Sequence, residues 1–182
     1  DHALSVSEII AKSSNKGAAQ LAMRVGETKF YEYARQFGFG QKTGFPVGGE
    51  VDGSMAAHAA WDGVPITRMP MGHAIAATAL QMQMAMSVIA SGGYLVRPQI
   101  ISQIADASGE VVYRYGPVVE QRVISEETAH TMAHMLEGVA TKDGTAPEAA
   151  IPNFEVAGKT GTTQKLVRIP NPKGGTKLVY ST

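Results

Sequence analysis

Apolar and polar residues follow a helical rhythm through three early segments, and then the pattern changes. Ser5-Val-Ser-Glu8 has the spacing of a capping box, with Ile9, Ile10 and Ala11 following as helix. Lys12-Ser-Ser-Asn15 interrupts the pattern with short polar side chains that prefer caps and turns. Helix resumes over residues 16–25, and Gly26 is placed to end it. A third helix over 27–37 carries Phe30, Tyr33, Ala34 and Phe37 at spacings of three and four, a stripe expected in the core. Residues 38–67 then hold Gly38, Gly40, Gly44, Pro46, Gly48, Gly49, Gly53, Gly63 and Pro65, which leave no room for a long regular element. A loop of that length within a compact domain is usually functional or pinned to a neighbour.

Regular pattern returns at 78–90, where Leu80, Met84, Val88 and the alanines between them predict a helix buried on most sides, stopped by Gly92-Gly93. The five methionines between Met69 and Met86 are read as core packing. Residues 99–105 and 110–115 read as a hairpin turned at Asp106-Ala-Ser-Gly109. Ser125-Glu-Glu opens a helix to about Val139, with acids in its first turn. A Gly/Pro-containing loop over 142–153 leads to Glu155-Val-Ala-Gly-Lys-Thr-Gly-Thr-Thr-Gln-Lys165. There an extended strand is expected near 156–165, with Thr160 and Thr162 on one face, Gly161 between them and Lys159 beside them. Two hydroxyls, a cation and a bare backbone suit a carboxylate-ended peptide lying along a sheet edge.

Composition narrows this picture in three ways. The 182 residues fit one domain, and sixteen basic against sixteen acidic residues leave no global field to attract nucleic acid or an anionic membrane. The absence of cysteine excludes disulfides and thiolate metal sites. His130 and His134 lie one helical turn apart, yet no glutamate follows the first and no third ligand is evident, so neither a metal site nor a cofactor is expected. The first residues run straight into helix and the last begin a strand, so both ends are read as cuts in a longer protein.

Two distant stretches carry a family resemblance. Ser13-Ser14-Asn15 matches Ser-x-Asn and Lys159-Thr160-Gly161 matches Lys-Thr-Gly, the second and third motifs of penicillin-binding proteins and the serine β-lactamases of the same fold. Phe37-Gly-Phe-Gly-Gln-Lys-Thr-Gly44 with Gly49-Glu50, and Gly72-His-Ala-Ile-Ala-Ala-Thr78 through Gly92-Gly93 and Pro98, resemble the segments between those motifs in class B enzymes. So does Ala157-Gly-Lys-Thr-Gly-Thr162 with its flanks. The chain therefore resembles a class B, division-type transpeptidase domain, partial over residues 1–182. It lacks the Ser-x-x-Lys segment and the final strands. Ser13-Ser-Asn-Lys16 also fits Ser-x-x-Lys formally, but the class B flanks favour Ser-x-Asn.

The resemblance implies an α+β fold of the penicillin-binding protein and serine β-lactamase type, a mainly antiparallel sheet with packed helices, truncated at both ends. It implies an acyl-serine D,D-transpeptidase that cross-links peptidoglycan stem peptides ending in D-Ala-D-Ala, in septal cell-wall synthesis, and that binds β-lactams. It also implies other cell-wall or division proteins as partners, a membrane anchor outside this chain and an extracytoplasmic catalytic domain. The nucleophilic serine would lie outside the chain. Ser13 would relay a proton, Asn15 would hold the substrate amide, and Lys159 would keep positive potential at the site. Thr160 and Thr162 would bind the substrate carboxylate, the Thr162 N–H would be an oxyanion donor, and Gly161 would permit close approach. The bland reading of Ser13 and Asn15 is a helix cap. A non-catalytic sensor and a β-lactamase of the same fold share the motifs and remain the alternatives.

Overall fold

The computed structural model describes residues 3–55, 66–161, 165–172 and 174–181. Five helices and four antiparallel strand pairs make up the described residues. Helix α1, Val6–Ala11, starts at the predicted capping box: the Glu8 N–H donates to Ser5 Oγ, and the Ser5 N–H donates to Glu8 Oε2. Helix α2 spans Asn15–Val25 and helix α3 spans Glu27–Gln36, with Gly26 ending one and opening the other. Gly17 is buried on α2 because the Ile9 side chain lies where a Cβ would sit, so α1 and α2 meet in a tight corner. Strand β1, Ser54–Met55, lies within the Gly-rich segment and pairs with β2, Ile75–Ala76.

Helix α4, Ala79–Ala90, is capped by Thr78 and leads into β3, Tyr94–Val96. Strands β4, Gln103–Ala105, and β5, Val111–Arg114, form the expected hairpin, shorter than the sequence suggested. Its turn is set by Asp106, whose Oδ1 accepts from the backbone N–H of Ser108 and Glu110 at 2.8 and 3.0 Å. Strand β6, Val119–Arg122, returns to pair with β3. Helix α5, Glu126–Glu137, has Ser125 as its cap and runs into a 3₁₀ turn at Gly138–Ala140. Strands β7, Lys165–Pro170, and β8, Thr176–Ser181, form the last antiparallel pair. The α+β class and the antiparallel pairing are as expected, although the described strands form separate pairs rather than one continuous sheet.

The core lies between α4 and the β3–β6 pair, where Met84, Val88, Leu95 and Val123 are buried and Phe37 and Ile124 pack against them. The long apolar helix is buried on one face and not on most sides: Met84, Ala85 and Val88 point inward, while Met82 is half exposed. The α3 stripe is likewise only partly core, since Phe37 reaches the cluster and Tyr33 stays 48% exposed. The methionines divide in the same way, Met69 and Met84 being buried and Met71 and Met82 exposed. Pattern finds an apolar face, but burial depends on which elements come to cover it.

Gln81 pins the Gly-rich segment to α4. Its side chain is 1% exposed; Nε2 donates to the carbonyls of Gln41 and Asp52 at 2.7 and 2.8 Å, and Oε1 accepts from the Thr78 N–H at 2.9 Å. Gln81→Leu keeps the volume and leaves three backbone groups without partners, which should cost about 3 kcal/mol. Thermal unfolding of the whole protein measures this, and an unchanged transition would mean the loop is held by other contacts. Glu50 ties down the other side of the segment. Burial would raise its carboxyl, but hydrogen bonds from the Thr43 hydroxyl and from the Thr43 and Gly44 N–H groups outweigh burial and hold it below the usual range.

Candidate active site

Ser13 occupies a backbone position where glycine is the ordinary choice. Its N–H donates to the Ile10 carbonyl at 3.2 Å and the Ser14 N–H donates to the Ile9 carbonyl at 2.9 Å, closing the end of α1 in a Schellman motif. The residue after the helix cap in that motif is left-handed, and Ser13 has φ +50°. Ser14, not Ser13 or Asn15, caps α2, its Oγ accepting from the Gly17 N–H at 3.2 Å. The Ser13 hydroxyl is thereby excused from capping and presented at the corner between two helices.

Residues 155–161 bring the third motif to that corner. Of the extended strand expected near 156–165, the described residues 156–161 carry no ladder and Lys165 belongs to β7, while residues 162–164 lie outside the described residues. The Gly158 N–H donates to the Leu136 carbonyl at 3.3 Å, which ties the stretch to the end of α5. A strand is defined by a hydrogen-bonded neighbour, and alternation and threonine content do not supply one. Thr162 lies outside the described residues, as does the expected sharing of a face by Thr160 and Thr162. Apart from its chain neighbours, no described residue comes within 4 Å of where a Cβ on Gly161 would sit.

Lys159, Thr160 and Ser13 converge. Lys159 Nζ donates to Ser13 Oγ, and lies 3.3 Å from both the carbonyl and the hydroxyl oxygen of Thr160. Ser13 Oγ and Thr160 Oγ1 are 3.5 Å apart. Partial burial of the ammonium end pushes Lys159 below the ordinary lysine range, because desolvation favours the neutral form. Among the described residues no carboxylate forms an ion pair with it. A cation held by neutral oxygens and lacking a counter-charge is a ready site for an anionic ligand group. Asn15 stands on the first turn of α2 and is exposed, and no hydrogen bond joins it to the others among the described residues.

One member of the cluster was not foreseen. Thr145 Oγ1 lies 2.9 Å from Thr160 Oγ1. A threonine in a Gly/Pro-containing loop reads as a turn residue, and nothing in its spacing singles it out. The two helical histidines are occupied locally, with His130 3.8 Å from Glu126 and His134 2.9 Å from Glu137. No cluster able to hold a metal occurs among the described residues. A groove of about 560 Å³ bordered by Arg35, Lys42, Gln81 and Glu120 shares no lining residue with the cluster of Ser13, Lys159 and Thr160, whose residues are exposed.

A serine, a lysine and a threonine gathered from distant parts of an α+β chain place a cation beside two hydroxyls, chemistry suited to an anionic group. The penicillin binding protein transpeptidase domain profile matches residues 1–178. The chain belongs to that family, in its class B branch. It is 38% identical to the penicillin-binding protein PbpB of Mycolicibacterium smegmatis over 164 residues, covering 87% of this chain and 25% of that protein. Its identity to the peptidoglycan D,D-transpeptidase FtsI of Escherichia coli is 29% over 163 residues, covering 90% of this chain and 26% of FtsI. The crystal structure of penicillin-binding protein 3 from Mycobacterium tuberculosis complexed with ampicillin superposes with a TM-score of 0.82. It is 34% identical, covering 95% of this chain and 39% of that one. The chain thus spans about a quarter of the length of the curated relatives it matches.

Proposed function

We propose that the whole protein is an acyl-serine D,D-transpeptidase of the division type, cross-linking peptidoglycan stem peptides during septal wall synthesis and acylated by β-lactams. The observation that carries this reading is Lys159, without a carboxylate partner among the described residues and hydrogen-bonded to Ser13 Oγ beside the Thr160 hydroxyl. The relatives named PbpB and FtsI support it, as does the likeness to a structure holding ampicillin. In this reading the nucleophilic serine belongs to a Ser-x-x-Lys segment outside residues 1–182. It attacks the penultimate D-alanine carbonyl, and the C–N bond to the terminal D-alanine breaks to leave an acyl-enzyme ester. The nucleophile's proton passes through Ser13 to the departing amine; an incoming stem-peptide amine then takes the acyl group, and the proton it gives up returns to the serine.

In this reading Lys159, Thr160 and Thr162 hold the terminal carboxylate, and Gly161 leaves the space through which the ligand backbone approaches. Asn15 meets the substrate amide, for which its exposed place on α2 leaves it available. The Thr162 N–H and the nucleophile's own N–H receive the oxyanion. The catalytic domain works outside the cytoplasm, anchored by a segment beyond this chain and alongside other wall-synthesis or division proteins. Among the described residues no helix is long and apolar enough to cross a membrane.

Fluorescent penicillin applied to the whole protein tests the reading. The adduct is expected on a serine of a Ser-x-x-Lys segment outside the chain. An adduct on Ser13 would reassign that residue as nucleophile, and no labelling of folded protein would make the cleft a binding module. The pH profile gives a second test. Desolvation lets Lys159 lose its proton at a lower pH than an ordinary lysine, so acylation should fall, as pH rises, along a limb that comes earlier than an ordinary lysine would place it. Lys159→Arg should move that limb upward. A limb at the same pH in both proteins would assign it to another group.

A further inference from the structure

We propose that Thr145 is a positioning residue that sets the direction of the Thr160 hydroxyl, so that Thr160 donates to the ligand carboxylate; this rests on the transpeptidase reading above. A threonine hydroxyl has one proton and two acceptor lone pairs. Thr160 Oγ1 faces Lys159 Nζ at 3.3 Å and Thr145 Oγ1 at 2.9 Å, with Ser13 Oγ farther off at 3.5 Å. The lysine ammonium can only donate. If Thr145 also donates, both lone pairs of Thr160 are taken and its proton is left to point toward an acceptor in the cleft. If Thr145 is removed, the Thr160 proton is free to turn away, and a neutral hydroxyl then presents its oxygen to the carboxylate.

The loop that carries Thr145 is built to hold it still. The Gly144 N–H donates to the Thr141 carbonyl and the Ala146 N–H to the Val139 carbonyl, each at 2.9 Å. A Cβ on Gly144 would lie 2.3 Å from the carbonyl oxygens of Gly138 and Val139, so the loop backbone rests directly on the 3₁₀ turn after α5. The same helix end receives the Gly158 N–H. Thr145 and Thr160 are therefore both referenced to the end of α5, and their separation is fixed through it.

The test compares benzylpenicillin with its methyl ester as acylating agents of the whole protein, the ester lacking the carboxylate that Thr160 would meet. Thr145→Val keeps the shape and removes the hydroxyl. It should slow acylation by the free acid about tenfold and leave the ester rate nearly unchanged, narrowing the ratio between them. Thr145→Ser should restore the ratio, and in a Thr160→Val background Thr145→Val should cost nothing further. An equal loss with both compounds and a lowered melting temperature would make Thr145 a structural prop and overturn the proposal, as would an unchanged free-acid rate. Failure of the unsubstituted protein to react with either compound would instead overturn the transpeptidase reading, and this proposal with it.

Discussion

Lys159→Ala should reduce acylation by β-lactams at least about a hundredfold while shifting thermal unfolding little. The two halves of that result have different causes. Lys159 is an exposed residue whose ammonium bonds to oxygens of Ser13 and Thr160, with no carboxylate partner among the described residues. Hydrogen bonds at such a position are shared with water and contribute little to folding, whereas a bound ligand displaces that water and brings its developing negative charge directly against the ammonium. Removing it withdraws the positive potential and the donor that fixes the Ser13 hydroxyl. It leaves the α1–α2 corner closed by backbone bonds that do not involve the lysine. Covalent labelling kinetics and a melting curve on the same preparation separate the two. Retained acylation would remove Lys159 from the mechanism, and a large fall in melting temperature would recast it as a structural residue.

The helices were legible because their signals are local. Ser5 and Glu8 build the cap that their spacing announces, Ser125 caps the helix its acids open, and Asp106 makes the turn that its neighbours suggest. What depended on distant partners was not legible in the same way. Residues 155–161 have strand composition, but no described strand pairs with them in a hydrogen-bonded ladder. Tyr33 and Met82 continue apolar patterns onto faces that nothing described covers. The meeting of Ser13 with Lys159, 146 residues apart, follows from no periodicity. It came from the family resemblance carried by the two motifs in their order. That resemblance had no place for Thr145, whose role is defined only by a 2.9 Å approach to Thr160.

Ser13→Gly should abolish acylation as fully as Ser13→Ala, and yet fold more stably than Ser13→Ala by about 1 kcal/mol. Both substitutions remove the hydroxyl that Lys159 meets, so a proton relay through Ser13 fails in both. Their folding differs because residue 13 stands at φ +50°, in the position after the helix cap that ordinarily goes to glycine. Ser13→Ala keeps the Cβ and its left-handed strain, and gives nothing in return. Ser13→Gly relieves it and loses only exposed side-chain hydrogen bonds, worth roughly 0.5 kcal/mol. The unsubstituted protein should therefore melt close to or below Ser13→Gly, although it alone has the hydroxyl. That ordering would identify the serine as a residue kept at a cost in backbone strain for the chemistry it carries. If Ser13→Gly melted no higher than Ser13→Ala, the positive φ would carry no strain, and the argument from a glycine position would fail. If it retained acylation, the proton would be passing by another group, and the second motif would be left as the corner between two helices.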